Sequence, residues 1–103
     1  MVTEIVTFRV PSGMTREDVF ARYETTAPKW KANPDPIRKN YLFDPVEGIA
    51  GGVYLWRERA HAEKWHGPEF CQMIRQLWGN EPRSQFFETP IVVDNISGGI
   101  IRS

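Results

Sequence analysis

Turn-forming clusters cut this chain into pieces so short that none can bury an apolar face except against its neighbours. Pro11-Ser12-Gly13, Asn33-Pro34-Asp35-Pro36, Asp44-Pro45-Val46-Glu47-Gly48, Gly67-Pro68, Gly79-Asn80-Glu81-Pro82 and Gly98-Gly99 supply the punctuation. Between them the hydrophobic period switches between two and about 3.6 residues. Thr3 to Val10 is β-branched and aromatic with Glu4 and Arg9 interleaved, which predicts a strand. Thr15 followed by Asp18 is a variant of the capping box, and Val19, Phe20, Tyr23, Ala27 and Trp30 then recur at helical spacing. Pro28 lies inside that helix and predicts a kink or restart near Thr26.

Ile37 to Phe43 alternates as a strand, with Ile37, Lys39, Tyr41 and Phe43 on one face and Arg38, Asn40 and Leu42 on the other. A hairpin connection leads to Gly51–Glu58, where Gly52, Tyr54 and Trp56 oppose Val53, Leu55 and Arg57. A second helical stretch runs from about Arg59 to His66 and resumes at Pro68, a residue suited to a first helical position. It continues to Trp78 with Phe70, Ile74, Leu77 and Trp78 as its stripe. Ser84 to Val93 reads as a long last strand interrupted at Pro90, and the tail from Asp94 to Ser103 has room for another short extended piece.

The order strand, helix, strand, strand, helix, strand predicts an α+β, ferredoxin-like split βαβ unit over residues 1–103. It has a four-stranded antiparallel sheet with both helices on one face. At 103 residues and 41% hydrophobic composition the chain can form one core. Ile5, Val53 and Leu55 fall on the other sheet face, and a homodimer packed sheet on sheet would cover them.

Charge excludes several partners. Thirteen Lys and Arg against thirteen Asp and Glu give a net charge of zero, so no basic field exists for nucleic acid or anionic lipid. No apolar run approaches the ~20 residues of a membrane span. The single cysteine, Cys71, reads as buried filler, and it and the lack of a basic, apolar leader predict a cytoplasmic protein. His61, His66 and Cys71 lack the spacing of a zinc site, and neither GxGxxG nor a P-loop occurs, so no metal or other cofactor is expected.

With this order established, Ile37-Arg38-Lys39-Asn40-Tyr41-Leu42-Phe43-Asp44, Gly51-Gly52-Val53-Tyr54-Leu55-Trp56 and Glu63-Lys64-Trp65-His66 resemble the YdhR-like monooxygenases of the dimeric α/β-barrel superfamily. The opening residues 3–8 and the closing Pro90-Ile91-Val92-Val93-Asp94-Asn95 extend the resemblance over nearly the whole chain. It implies a homodimer with one pocket per subunit between sheet and helices. Its quinone-forming relatives work without a cofactor on phenols or hydroquinones. They line the pocket with a tryptophan near the end of strand three, which Trp56 matches, and an asparagine four residues earlier, where Gly52 stands. His66 matches a histidine at the end of their following helix. A second, haem-degrading branch uses a strand-one asparagine, a tryptophan and a downstream histidine. Trp65 matches the tryptophan, but Val6, Thr7 or Phe8 and Ile74 or Arg75 occupy the other positions, leaving no axial ligand.

His66 is the candidate general base, since an imidazole can take a phenolic proton at neutral pH; beside Gly67 it equally fits a helix C-cap. Trp56 and Tyr54 are candidates to orient a planar substrate or a reduced oxygen species through N–H and O–H donors, and both also fit a plain core. Phe8, Tyr41, Phe43, Gly52, Trp65, Phe70, Ile74, Trp78 and Phe86 are candidate pocket residues for a small aromatic or hydrophobic molecule. Arg38, Lys39 and Arg83 are candidates to stabilise a phenolate or superoxide. The corresponding chemistry is deprotonation of an electron-rich phenol, electron transfer to oxygen, recombination to a peroxide and collapse to a quinone. Two alternatives stand beside it: a non-catalytic dimer that binds a hydrophobic metabolite, and a cofactor-free isomerase or lyase working by proton transfer.

Overall fold

The structure, a computed structural model, describes residues 1–102. Its elements are β1 (Val2–Arg9), α1 (Arg16–Ala32), β2 (Pro36–Asp44), β3 (Ile49–Trp56), α2 (Arg59–Trp65), α3 (Pro68–Trp78), β4 (Arg83–Glu88), β5 (Ile91–Asp94) and β6 (Gly99–Arg102). The first four strands to enter the main sheet lie in the order β2-β3-β1-β4, all neighbours antiparallel. This is the ferredoxin-like α+β arrangement expected from the alternation of periods.

Local chemistry explains the boundaries. Thr15 Oγ1 accepts the Asp18 N–H at 3.2 Å while Asp18 Oδ2 accepts the Thr15 N–H at 2.9 Å, so the capping box closes and starts α1. Those same bonds, the backbone one first, hold the Asp18 carboxyl below its usual range. Pro28 produces no restart: α1 is one helix from Arg16 to Ala32. The proline is exposed and removes one donor near the helix end, while Tyr23 and Trp30 on either side of it pack against the core. Pro68 opens α3 at its first turn, and Gly79, at φ 76°, ends it with its N–H bonded to Arg75 O.

The strand faces fall as the alternation predicts. Val6, Phe8, Ala50, Tyr54 and Trp56 point to the helices and pack with Val19, Ala62, Ile74 and Trp78 as one buried cluster. Each large side chain there contributes about 1.5–3 kcal/mol by leaving water. Gly51 is the tightest point between strands. At φ 151°, its missing Cβ would stand 1.9 Å from Val6 O, and its N–H donates to the Tyr23 hydroxyl, which in turn donates to Leu42 O. Gly51→Ala is therefore expected to lower stability by about 3 kcal/mol or more, near the top of single-substitution effects, read from the urea midpoint.

The end of the chain differs from the expected long last strand. β4 stops at Glu88, and after Thr89-Pro90 the chain leaves the main sheet, so that β5 pairs with β6 as a separate two-stranded hairpin. Pro90 cannot donate to a ladder, which ends the pairing with β1. Asp94 then shapes the turn by accepting the N–H groups of Ile96 and Ser97. Val92 of this hairpin lies against the far face of the sheet with Val53 and Leu55, and Arg38 pairs with Asp94 at 3.1 Å. No helix among the described residues is long and apolar enough to cross a membrane.

Candidate functional site

Strand alternation carries Glu4 onto the helix-facing side in phase with Val6 and Phe8, where it is completely buried. A carboxylate in that position needs donors to offset its lost hydration. Trp56 Nε1–H donates to Glu4 Oε1 at 3.1 Å, and the same oxygen lies 2.6 Å from His66 Nδ1. His66 is the C-cap of α2, its backbone N–H bonded to Ala62 O. The break before Pro68 leaves its ring over the sheet, with a side chain only 2% exposed. With Nδ1–H directed at the carboxylate, Nε2 is the free ring position, and it is buried without a partner among the described residues, as is Glu4 Oε2.

Tyr54 connects this network to open space. Its ring stacks on Trp56 (centroids 5.5 Å, 9°) and meets His66 edge-on at 4.4 Å. Burial, with the charge of Glu4 second, holds its phenol well above the ordinary range, so at neutral pH it stays a hydrogen-bond donor. The Tyr54 hydroxyl makes no hydrogen bond among the described residues, and its side chain lines a cavity of about 300 Å³ between the sheet, α1 and α3. No Asp or Glu lines that cavity.

Of the residues singled out from sequence, Phe8, Tyr41, Gly52, Phe70, Ile74 and Trp78 line the cavity together with Tyr54. His66 and Trp56 do not: they stand behind Tyr54, and the Phe70 ring lies 4.2 Å from the imidazole. Three others lie elsewhere. Trp65, at the end of α2, is 40% exposed because its indole N–H reaches outward to Asp35 Oδ2 at 2.6 Å. Phe43 packs edge-on against Phe20 in a separate surface groove. Phe86 sits on β4 beyond Glu4, under the Arg59 guanidinium. Arg38 and Arg83 belong to the opposite sheet face, the first paired with Asp94 and the second opposite Thr7 in register. Cys71 is half-buried on α3 and is not part of the core cluster.

Sequence reasoning missed the roles of Glu4 and Trp30. The signal for Glu4 was present, since it shares its parity with Val6 and Phe8 and so had to face the core. Trp30 belongs to the stripe of α1 and lines the cavity opposite Lys39, whose Nζ lies 4.5 Å from its ring centroid. Burial draws the Lys39 pKa down to about 7. Because the folded chain then binds that proton less tightly than the unfolded one, Lys39 opposes folding below about pH 7. That opposition fades as pH rises toward its ordinary value of 10.5. At Gly52 an added Cβ would meet Tyr54 Cε1 at 3.2 Å and Lys39 Cε at 3.3 Å, so the glycine leaves room for the lysine chain.

No family model matches the chain, and neither does any curated protein. Solved structures do. A crystal structure of an antibiotic biosynthesis monooxygenase superposes with a TM-score of 0.67 at 14% identity, covering 86% of this chain and 98% of that one. Protein SO0527 from Shewanella oneidensis gives 0.66 at 14% identity, covering 85% and 89%. The monooxygenase from the ActVA-Orf6 gene of Streptomyces coelicolor, in complex with the ligand Nanaomycin D, gives 0.62 at 12% identity, covering 85% and 86%. The likeness establishes a shared ferredoxin-like fold and does not distinguish the YdhR-like branch.

Proposed function

We propose that the protein is a monooxygenase for a small aromatic molecule with an ionisable hydroxyl, acting by substrate deprotonation and direct reaction with oxygen, with no resident cofactor. The observation that carries this reading is the cavity: about 300 Å³, walled by aromatic rings that include Tyr54, whose hydroxyl makes no hydrogen bond among the described residues, and with no carboxylate on its walls. The fold shared with monooxygenases, one of them in complex with the ligand Nanaomycin D, supports it.

In this scheme the ligand loses its hydroxyl proton and passes one electron to oxygen. Recombination forms a peroxide that loses water to leave a quinone, so that phenol and oxygen give quinone and water. The substrate itself is the reductant. Tyr54 donates to the ligand oxygen as negative charge grows there. Glu4, His66 and Trp56 act through Tyr54: their buried hydrogen bonds hold the stacked indole and the imidazole edge that position its ring.

Oxygen uptake by the purified protein, without added cofactor, across hydroquinones, naphthols and anthrones tests the reading. Uptake with quinone formation supports it. Turnover that persists without oxygen would make the protein a proton-transfer enzyme instead, and ligand binding with no turnover would make it a binding protein.

The protein works in this reading as a homodimer. Beyond the sheet face, the hairpin of β5 and β6 leaves Ile91, Val93, Ile96, Ile100 and Ile101 exposed, an apolar surface that a second copy would cover. Sedimentation at micromolar concentration is expected to give twice the chain mass; a monomer there would remove the dimer.

A further inference from the structure

The register of the sheet sets Lys39, Tyr54 and Glu4 in one row across β2, β3 and β1, with Tyr54 between the two charges. Glu4 is engaged by Trp56 and His66. Lys39 has no hydrogen bond or ion pair among the described residues. Its Nζ instead sits among three rings, 4.1 Å from the centroid of Tyr41, 4.5 Å from Trp30 and 4.8 Å from Tyr54, one ring each from β2, α1 and β3. The lysine lines the cavity, and Gly52 leaves the space its chain crosses. The other cation on the wall, Arg22, already donates to Leu77 O and lies over Trp78.

An amine in such a place is chemically unfinished. The rings favour its charged form through their faces, but they satisfy none of its three N–H donors, and burial opposes the charge. With a pKa near 7 it is in part a neutral amine with a free lone pair at neutral pH. The groups around it would not supply a counter-charge. Tyr41, Tyr54 and Tyr23 are all held above the ordinary phenol range by burial. Lys31 and Arg38 share with it a groove on the outer side, and Glu24 of α1 acts on Tyr41.

We propose that Lys39 takes the hydroxyl proton of the bound ligand and then holds the resulting oxyanion, so that the cavity selects acidic phenols and enols over neutral aromatics of the same shape. The ligand O–H bond breaks and an N–H bond forms on Nζ; a neutral amine and a neutral phenol become an ammonium and a phenolate, with no net change of charge. The ion pair is made among three aromatic rings, where a charge-assisted hydrogen bond is stronger than in open water. This rests on the cavity being the ligand site but not on any reaction with oxygen.

The test uses 1-naphthol, whose neutral and ionised forms absorb at different wavelengths, bound without oxygen at a pH about one unit below its solution pKa, where Lys39, with a pKa of about 7, is mostly the neutral amine. The wild-type protein is expected to bind it as the anion, lowering its apparent pKa by about one unit or more, which is at least tenfold in favour of the ionised form. Lys39→Met is expected to bind it neutral with that shift lost, and Lys39→Arg to keep an anion-binding cation. Lys31→Met, on the outer groove, should behave as wild type. Circular dichroism distinguishes a folded Lys39→Met from an unfolded one, and Lys39→Arg provides the second reading should the methionine variant fail to fold. Binding of the neutral form by the wild type, no binding of either form, or an undiminished shift in Lys39→Met would each overturn the proposal. Absence of oxygen uptake would remove the oxygenase reading while leaving an observed shift standing, and loss of the shift would leave observed uptake standing.

Discussion

Glu4→Ala is expected to lower the stability of this protein by about 3–5 kcal/mol, the effect of leaving two buried donors without their acceptor and a void beside them. The carboxylate is 0% exposed and Oε1 is the acceptor for both the Trp56 indole N–H and His66 Nδ1. Removing it strands two donors in the core beside a cavity as large as the lost side chain, and neither ring can turn to water. Glu4→Gln separates the two parts of that effect. Its amide oxygen can still accept both donors, while its NH₂ must lie where Glu4 Oε2 now has no partner. The glutamine variant should therefore fall between wild type and alanine in urea denaturation. Equal stability of Glu4→Ala and wild type would show that the network does not hold this side of the core together.

Tyr54→Phe is expected to reduce the rate of oxygen uptake by about 10²-fold with little change in the ligand concentration needed for half-maximal rate. The substitution keeps the ring that stacks on Trp56 and touches His66, so the fold should be little affected. What it removes is the hydroxyl, which makes no hydrogen bond among the described residues and so is free for the ligand oxygen. Because charge grows on that oxygen as the proton leaves, the donor matters more in the transition state than in the bound complex, and the loss should be in kcat. An unchanged kcat would mean that Tyr54 only walls the cavity.

Much of this geometry could be read from period and punctuation. The faces of β2 and β3 follow from simple alternation, and with them the placement of Lys39, Tyr41, Gly52, Tyr54 and Trp56 on the helix side. The Gly67-Pro68 break likewise told where α2 ends and α3 begins. What alternation cannot give is depth. Trp56 is on the expected face, yet neither it nor His66 lines the cavity: both are bonded instead to Glu4, a residue 62 positions away from His66 in sequence. Phe43 has the parity of Lys39 and Tyr41 but lies at the strand end, past the cavity, and Trp65 is pulled outward by Asp35. Pro90 was legible as an interruption; that β5 would desert the main sheet for β6 depended on a turn built by the Asp94 side chain, which periodicity does not register.

Turnover under labelled oxygen, using metal-free and flavin-free protein with the compound from the uptake panel that it consumes fastest, decides whether the protein is an oxygenase. One labelled oxygen atom is expected in each quinone formed, with one oxygen molecule consumed per quinone and a rate well above that without protein. Label absent from the product, or no compound in the panel turned over faster than the uncatalysed reaction, would contradict the oxygenase reading.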